Sequence, residues 1–305
     1  MIFFAVPFFK NAGFLEETLA SLLSQTSPNW SAAVLDDSLD PQEALLAKKC
    51  VEKLADARIS YHKNPKNNGM AANWNQGLEL GKNHSSRPVG TTILHADDRL
   101  LPPYVEKMLQ AFETHPDASA FFCKTTIIDE NGTRTFSFTD YYKNFLLPSA
   151  KNGLITLKGI DGIRPLIPGN FIMCPTLCFR NKNLTRGFNP ELKMVTDFEF
   201  TLDLLFQDHQ LLGIYSELLF EYRRHSANTT NLMNQNLERF HEEKALYVNM
   251  AQQLEQRGYP ELAKQARQMK IIQKNLMFLM MKSLFNGQFG LVKQYFNFLR
   301  KIRAS

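Results

Sequence analysis

Two pairs of adjacent carboxylates offer the clearest chemistry. Asp97 and Asp98 follow the apolar run Thr91-Thr92-Ile93-Leu94-His95-Ala96, and Asp36 and Asp37 close the run Ala32-Ala33-Val34-Leu35. Acids at the carboxyl end of a buried strand lie where open α/β sheets bind their ligands. Oxygen ligands there suit a hard divalent cation, Mg²⁺ or Mn²⁺, and such a cation suits a phosphate-bearing substrate. Either pair alone reads equally well as solvated turn acids; two strands ending in paired acids point to a site.

The elements that must position these acids alternate along the first half. Strand patterns cover Ile2–Phe8, residues 31–35, residues 58–62 and the run before Asp97. Helical periodicity joins Leu15, Leu19, Leu22 and Leu23, and recurs over 41–55, 71–81 and 102–114. Ala118–Ile128 reads as a strand ending at the turn Asp129-Glu130-Asn131-Gly132. Repeated units of this length predict an α/β fold, a mainly parallel sheet flanked by helices. Over 138–169 the pattern loosens around Gly153, Gly159, Gly162, Pro165 and Pro168, which reads as an irregular binding loop. A strand over 174–179, a helix over 197–207 and a strand over 213–222 restore order. Three helical stretches follow, 237–257, 261–285 and 289–302, giving a catalytic body of residues 1–230 and a basic helical extension of residues 231–305.

A chain of 305 residues, 44% hydrophobic, can bury a sizeable core. Its net charge of +5 gives no case for a nucleic-acid partner. The charge is uneven: residues 262–305 contain nine basic and no acidic side chains. With Phe289, Phe296 and Phe298 interleaved, residues 289–303 fit a helix lying on an anionic inner leaflet. The same residues also fit a helix packed on the body with its lysines solvated. Four scattered cysteines without a C-x-x-C pair read as reduced, buried thiols of a cytoplasmic protein. The apolar start, interrupted by Pro7, reads as a first strand in preference to a signal sequence, and no apolar run reaches the ~18 residues of a membrane span.

Several motifs stand in one order. They are Val6-Pro7-Phe8-Phe9-Lys10-Asn11, Ser21-Leu22-Leu23-Ser24-Gln25-Thr26, Val34-Leu35-Asp36-Asp37-Ser38, and Asn67-Asn68-Gly69-Met70 with Asn73 and Gly77. His95-Ala96-Asp97-Asp98, Thr196-Asp197-Phe198-Glu199 and Tyr222-Arg223-Arg224-His225 complete the set. Over residues 1–230 it resembles the family 2 glycosyltransferases of the GT-A fold, which transfer a sugar from a nucleotide donor with inversion. The resemblance implies that Pro7, Phe9 and Asp37 hold base and ribose, and that Asn68, Gly69 and Asn73 form the turn and helix start against the nucleotide. It implies that Asp97 meets the ribose, that Asp98 and His225 bind the divalent cation, and that Asp197 is the general base. Arg223 or Arg224 then neutralises the departing diphosphate. His95 stands where the family commonly has an aspartate, and Phe9-Lys10 where it usually has Tyr and Asn. A nucleotide-sugar donor, UDP-linked by preference, and a glycan or lipid-linked acceptor in surface polysaccharide or glycoconjugate synthesis follow from the same resemblance.

Local readings stand beside these. Thr196 and Glu199 fit a capping box, in which Asp197 merely favours the helix dipole. His225 fits a structural surface histidine, Trp74 a core residue, and Cys174 with Cys178 one packed strand face. A dehydrogenase would carry G-x-G-x-x-G, and a nucleotidyltransferase a Gly-rich basic loop after the first strand; neither is present. The rival from another class is a catalytically silent nucleotide-sugar or partner-binding module of the same fold.

Overall fold

The computed structural model describes residues 1–225 and 237–303, without the side chains of 138–140. β1 (Ile2–Phe8) and β2 (Trp30–Asp36) are buried almost throughout, as strands covered on both faces must be. Between them α1 (Ala12–Leu23) turns Leu15, Leu19 and Leu22 inward. α2 (Pro41–Leu54) starts at Asp40, whose carboxylate accepts from the Gln42 N–H at 2.8 Å, with Pro41 in the first turn. β3 (Ile59–Lys63), α3 (Met70–Lys82), β4 (Gly90–Ile93), the short β5 (Arg99–Leu100), α4 (Tyr104–Thr114) and β6 (Ala118–Ile128) follow.

The segment 138–169 is ordered, contrary to the loop expected there. It forms α5 (Phe138–Leu146), β7 (Leu154–Lys158) and α6 (Gly159–Ile163), and a short 3-10 turn follows. Gly162 marks close packing here: a Cβ on it would sit 2.8 Å from the Leu157 carbonyl carbon. The expected strand over 174–179 divides into a 3-10 turn, Cys174–Thr176, and β8 (Cys178–Arg180). Cys174 and Cys178 therefore share no strand face and belong to different hydrophobic clusters.

α7 (Thr196–Phe206) starts without the expected capping box. The Thr196 hydroxyl donates to the Asn189 carbonyl, and Glu199 pairs with Arg186 at 2.9 Å. Glu242, from a helix far along the chain, accepts the N–H groups of Lys193 and Met194 at 2.9 and 2.8 Å instead. β9 (Gln210–Arg223) closes the sheet. Then come α8 (Glu238–Gln256), α9 (Pro260–Arg267), α10 (Lys270–Phe285) and α11 (Phe289–Arg303). The single helix expected over 261–285 breaks at Met269, which is buried with φ 47°.

The sheet order is β3-β2-β1-β4-β8-β6-β9-β5, with β7 on β9. β1 pairs parallel with β2 and β4, β2 with β3, and β6 with β9. β8 runs antiparallel between β4 and β6, and β5 and β7 antiparallel to β9, so the sheet is mixed on that side. Helices flank it on both faces. On one face the C-terminal helices share a core with the body: Tyr247 of α8 packs on Phe198 and donates to the Ile167 carbonyl at 2.9 Å. Among the described residues no helix is long and apolar enough to cross a membrane.

Candidate active site

Two antiparallel steps through β8 leave β6 and β9 parallel to β4. The carboxyl ends of β1, β2, β4, β6 and β9 therefore share one edge. Pro7 and Phe9, Asp36 and Asp37, Asp97 and Asp98, and Arg223 to His225 are brought together there from four separate stretches of chain.

On the β2 side the acids build a frame. Asp36 accepts from the Ser38 N–H at 2.8 Å and from the Tyr61 hydroxyl. Asp37, 4% exposed, accepts from the N–H groups of Asn68 and Gly69 at 2.8 and 2.9 Å and from Asn64 Nδ2 at 3.0 Å. Its oxygens hold the turn that starts α3, where Gly69 takes φ 81° with open space in front of it. Asn73 is buried behind that turn. Its Nδ2 donates to the Leu35 carbonyl at 3.0 Å and its Oδ1 accepts from Asn64, so it supports the turn from behind. Phe9 is 48% exposed at the rim, with Pro7 half-buried before it.

After β4 the acids form a candidate cation site. Ligand atoms of His95, Asp97 and Asp98 lie within 4.8 Å of one another. Asp98 Oδ1 accepts the Arg223 N–H at 2.8 Å, while its Oδ2 and His95 Nε2 are buried without a partner. Burial, and then Asp97 beside it, push the Asp98 carboxyl well above the usual range. Burial also pushes Asp97 upward, but the bond to His225 and the fields of His95 and His225 hold it below its ordinary value. His225 Nε2 lies 2.9 Å from Asp97 Oδ2, and the His95 ring stacks on Trp74 at 5.3 Å. Orphaned buried polar atoms beside two carboxylates are costly unless a cation satisfies them, so this donor set fits a divalent metal.

Arg223 does not face a diphosphate. It is fully buried, with Nε donating to the Asp97 carbonyl at 2.7 Å and Nη1 to the carbonyls of Glu130 and Asp129 at 3.1 and 3.2 Å. Nη2 meets Glu17, which also binds Arg99. Its guanidinium pins the β6–β9 edge to the acid pair. Arg224 is half-buried, its guanidinium 4.8 Å over the Tyr222 ring, and its charge reaches Asp98.

Asp197 opens α7 on the same side. Burial raises its carboxyl pKa, opposed by the Phe198 N–H and by Lys143 of α5. Burial also pushes the Cys174 thiol well up, and Asp197 and Asp98 both add to that shift.

A family model described as glycosyl transferase family 2 matches residues 4–173 of the chain, more than half of it. The chain belongs to glycosyl transferase family 2. A glycosyltransferase of Methanocaldococcus jannaschii is 25% identical over 212 residues, which are 69% of this chain and 66% of that protein. The S. aureus TarS 1–349 structure aligns at a TM-score of 0.56 and 16% identity, covering 98% of this chain and 90% of that one. Against a longer S. aureus TarS structure the chain covers 43% of the length. A mannosyltransferase of Pyrobaculum calidifontis, in complex with GDP-Man and Mn²⁺, aligns at a TM-score of 0.55 and 11% identity, covering 99% and 86%. These structures share the GT-A fold with this family 2 chain.

Three residues of this family 2 site escape a reading of the sequence as a cation and base cluster. His95 is one, although its imidazole beside paired acids in the Asp-rich element is itself a signal for a metal ligand. Lys143 lies in a segment read as loop. Cys174 reads in the sequence as strand packing, and only the fold puts its thiol under the fields of Asp98 and Asp197.

Proposed function

We propose that this family 2 chain transfers a sugar from a nucleoside-diphosphate donor, UDP-linked by preference, to a hydroxyl of a glycan or lipid-linked acceptor, with inversion. Asp197 takes the proton of the acceptor hydroxyl, the freed oxygen pair bonds to the anomeric carbon, and the bond from that carbon to the diphosphate oxygen breaks on the opposite side. A carboxyl whose proton affinity is raised by burial is a better base near neutral pH than a solvated one. Phe9 offers a face for the base, and the Gly69 turn, braced by Asp37, lets the donor approach the backbone closely. Asp97, Asp98 and His95, with His225 against Asp97, would hold Mg²⁺ or Mn²⁺, whose charge would steady the departing diphosphate together with Arg224.

The observation that carries this reading is the cluster at the carboxyl edge of the sheet, where ligand atoms of His95, Asp97 and Asp98 lie within 4.8 Å of one another and Asp98 Oδ2 is buried without a hydrogen-bond partner. TarS in complex with UDP-GlcNAc and the Mn²⁺-bound mannosyltransferase support a nucleotide sugar and a cation as the ligands. The test is a panel of UDP-, dTDP- and GDP-sugars with Mn²⁺ or Mg²⁺, read as release of nucleoside diphosphate and as thermal shift. Turnover with one donor, lost in Asp197→Asn while the shift persists, is expected. A donor-induced shift without release from any donor would leave the silent binding module in its place.

A further inference from the structure

α10 and α11 form a hairpin around the turn Asn286-Gly287. α11 is divided: Tyr295, Phe298, Leu299 and Ile302 are buried, while Phe289 and Phe296, from the stripe expected to face lipid, stay 70% and 48% exposed. The uncovered apolar surface lies at the hairpin tip. Met281 is 56% exposed, Leu284 55%, Phe289 70% and Phe285 90%. A cluster of large apolar side chains in water is unusual for a soluble surface and marks an interaction site. Lys282 and Lys293 are exposed on the two arms of the same hairpin, and residues 262–305 contain no acidic side chain.

We propose that this tip inserts into the headgroup region of an anionic lipid surface, Phe285 and Phe289 leading and Lys282 and Lys293 meeting the lipid phosphates. Charge selects this occupant over a second copy of the chain. Two tips placed face to face would bring lysines together with no carboxylate to offset them, whereas an anionic leaflet complements both features at once.

The hairpin is rooted near the candidate base. Lys274 of α10 donates to the Tyr142 hydroxyl of α5 at 2.9 Å, and the neighbouring Lys143 lies within the field of Asp197. From Lys274 to Phe285 the helix rises about 16 Å. Docking at the tip thus holds the base within a short helix length of the bilayer, where a lipid-linked acceptor presents its head. That consequence rests on the glycosyl-transfer reading; the docking does not.

Flotation of the purified full chain tests it, with vesicles of phosphatidylcholine alone or mixed with phosphatidylglycerol. The chain should float only with the anionic vesicles and less as salt rises. The double variant Phe285→Ser/Phe289→Ser should float about tenfold less, with unchanged thermal melting, because both side chains are exposed. Equal flotation of the variant, or none by the parent, overturns the proposal. So does a dimer in light scattering that the variant breaks, since the occupant is then a second copy. Donor-driven release of nucleoside diphosphate in vesicle-free solution should be the same in parent and variant, so failure of docking and failure of the transfer reading give different results.

Discussion

Replacing Asp37 with alanine separates two roles that a carboxylate at the end of β2 can have. In the structure it accepts from three donors: the N–H groups of Asn68 and Gly69 and the side-chain amide of Asn64. A hydrogen bond to a charged group contributes about 1.5–3 kcal/mol net, so three intact bonds would sum to roughly 6 kcal/mol. The loss is smaller than that sum. Asn68 is exposed and Gly69 half-buried, so both N–H groups can turn to water, and Asn64 keeps the Asn73 oxygen at 3.1 Å. The expected destabilisation is therefore about 3 kcal/mol, roughly a hundredfold or more in the folding equilibrium. Urea unfolding followed by circular dichroism measures it, and calorimetric titration with UDP measures affinity on the same samples. Affinity should fall along with stability, because the turn under the donor loosens. Asp37→Asn, which keeps one acceptor oxygen, should lie between parent and alanine variant on both axes. If Asp37→Ala left stability within about 0.5 kcal/mol of the parent and only UDP affinity collapsed, the carboxylate would be a direct ligand and the bracing argument would be refuted.

Asp197→Asn should lower turnover by about 10²–10⁴-fold with donor affinity kept, as steady-state kinetics and thermal shift would record. Because burial raises this carboxyl pKa, its ionisation costs the native state stability as pH climbs from the unfolded value through the folded one. The asparagine variant should thus match the parent in unfolding free energy at acid pH and exceed it at neutral pH, by about 0.5–2 kcal/mol in urea unfolding. Replacing Arg223 by lysine removes the fork that reaches three backbone carbonyls, and should cost about 3 kcal/mol in urea unfolding. Arg224→Ala, by contrast, should cost less in unfolding than the Arg223 variant and reduce kcat. His95→Asp replaces an imidazole by a harder oxygen ligand, so Mn²⁺ binding followed by electron paramagnetic resonance should show a narrower preference over Mg²⁺ in competition; an unaltered preference would remove His95 from the cation set.

The legible parts of the fold are those decided by short-range pattern. β1 and β2 are continuous apolar runs because helices cover both their faces, and each hands its next residues to the carboxyl edge. The α2 cap, Asp40 before Pro41, is local chemistry and matches the helix start read from the sequence. The misses involve partners distant in sequence. Thr196 and Glu199 have the spacing of a capping box, but Arg186 takes Glu199, and Glu242, 46 or more residues beyond the start of α7, takes the approaching N–H groups. Glycines over 138–169 suggest irregular chain; Gly162 is instead small because α6 lies against β7, which no local pattern reveals. Arg223, next to Arg224 and at the end of a strand, has the sequence of a phosphate ligand, and only the fold buries it among carbonyls.

The same contrast explains why the acid pairs look alike in sequence and act differently in space. Asp36 and Asp37 are satisfied by hydroxyl, amide and backbone donors, so that pair is complete as a frame. Asp98 is half complete: one oxygen holds the first N–H beyond Tyr222, and the other is buried with none. A cation at that second oxygen would act on the carboxylate that also anchors the end of β9, which carries Arg224 and His225 into the site. Binding of such a cation would thereby be coupled to the seating of that strand end through a single buried carboxyl group. By linkage, whatever stabilises the strand end in place would then raise the affinity for that cation in equal measure.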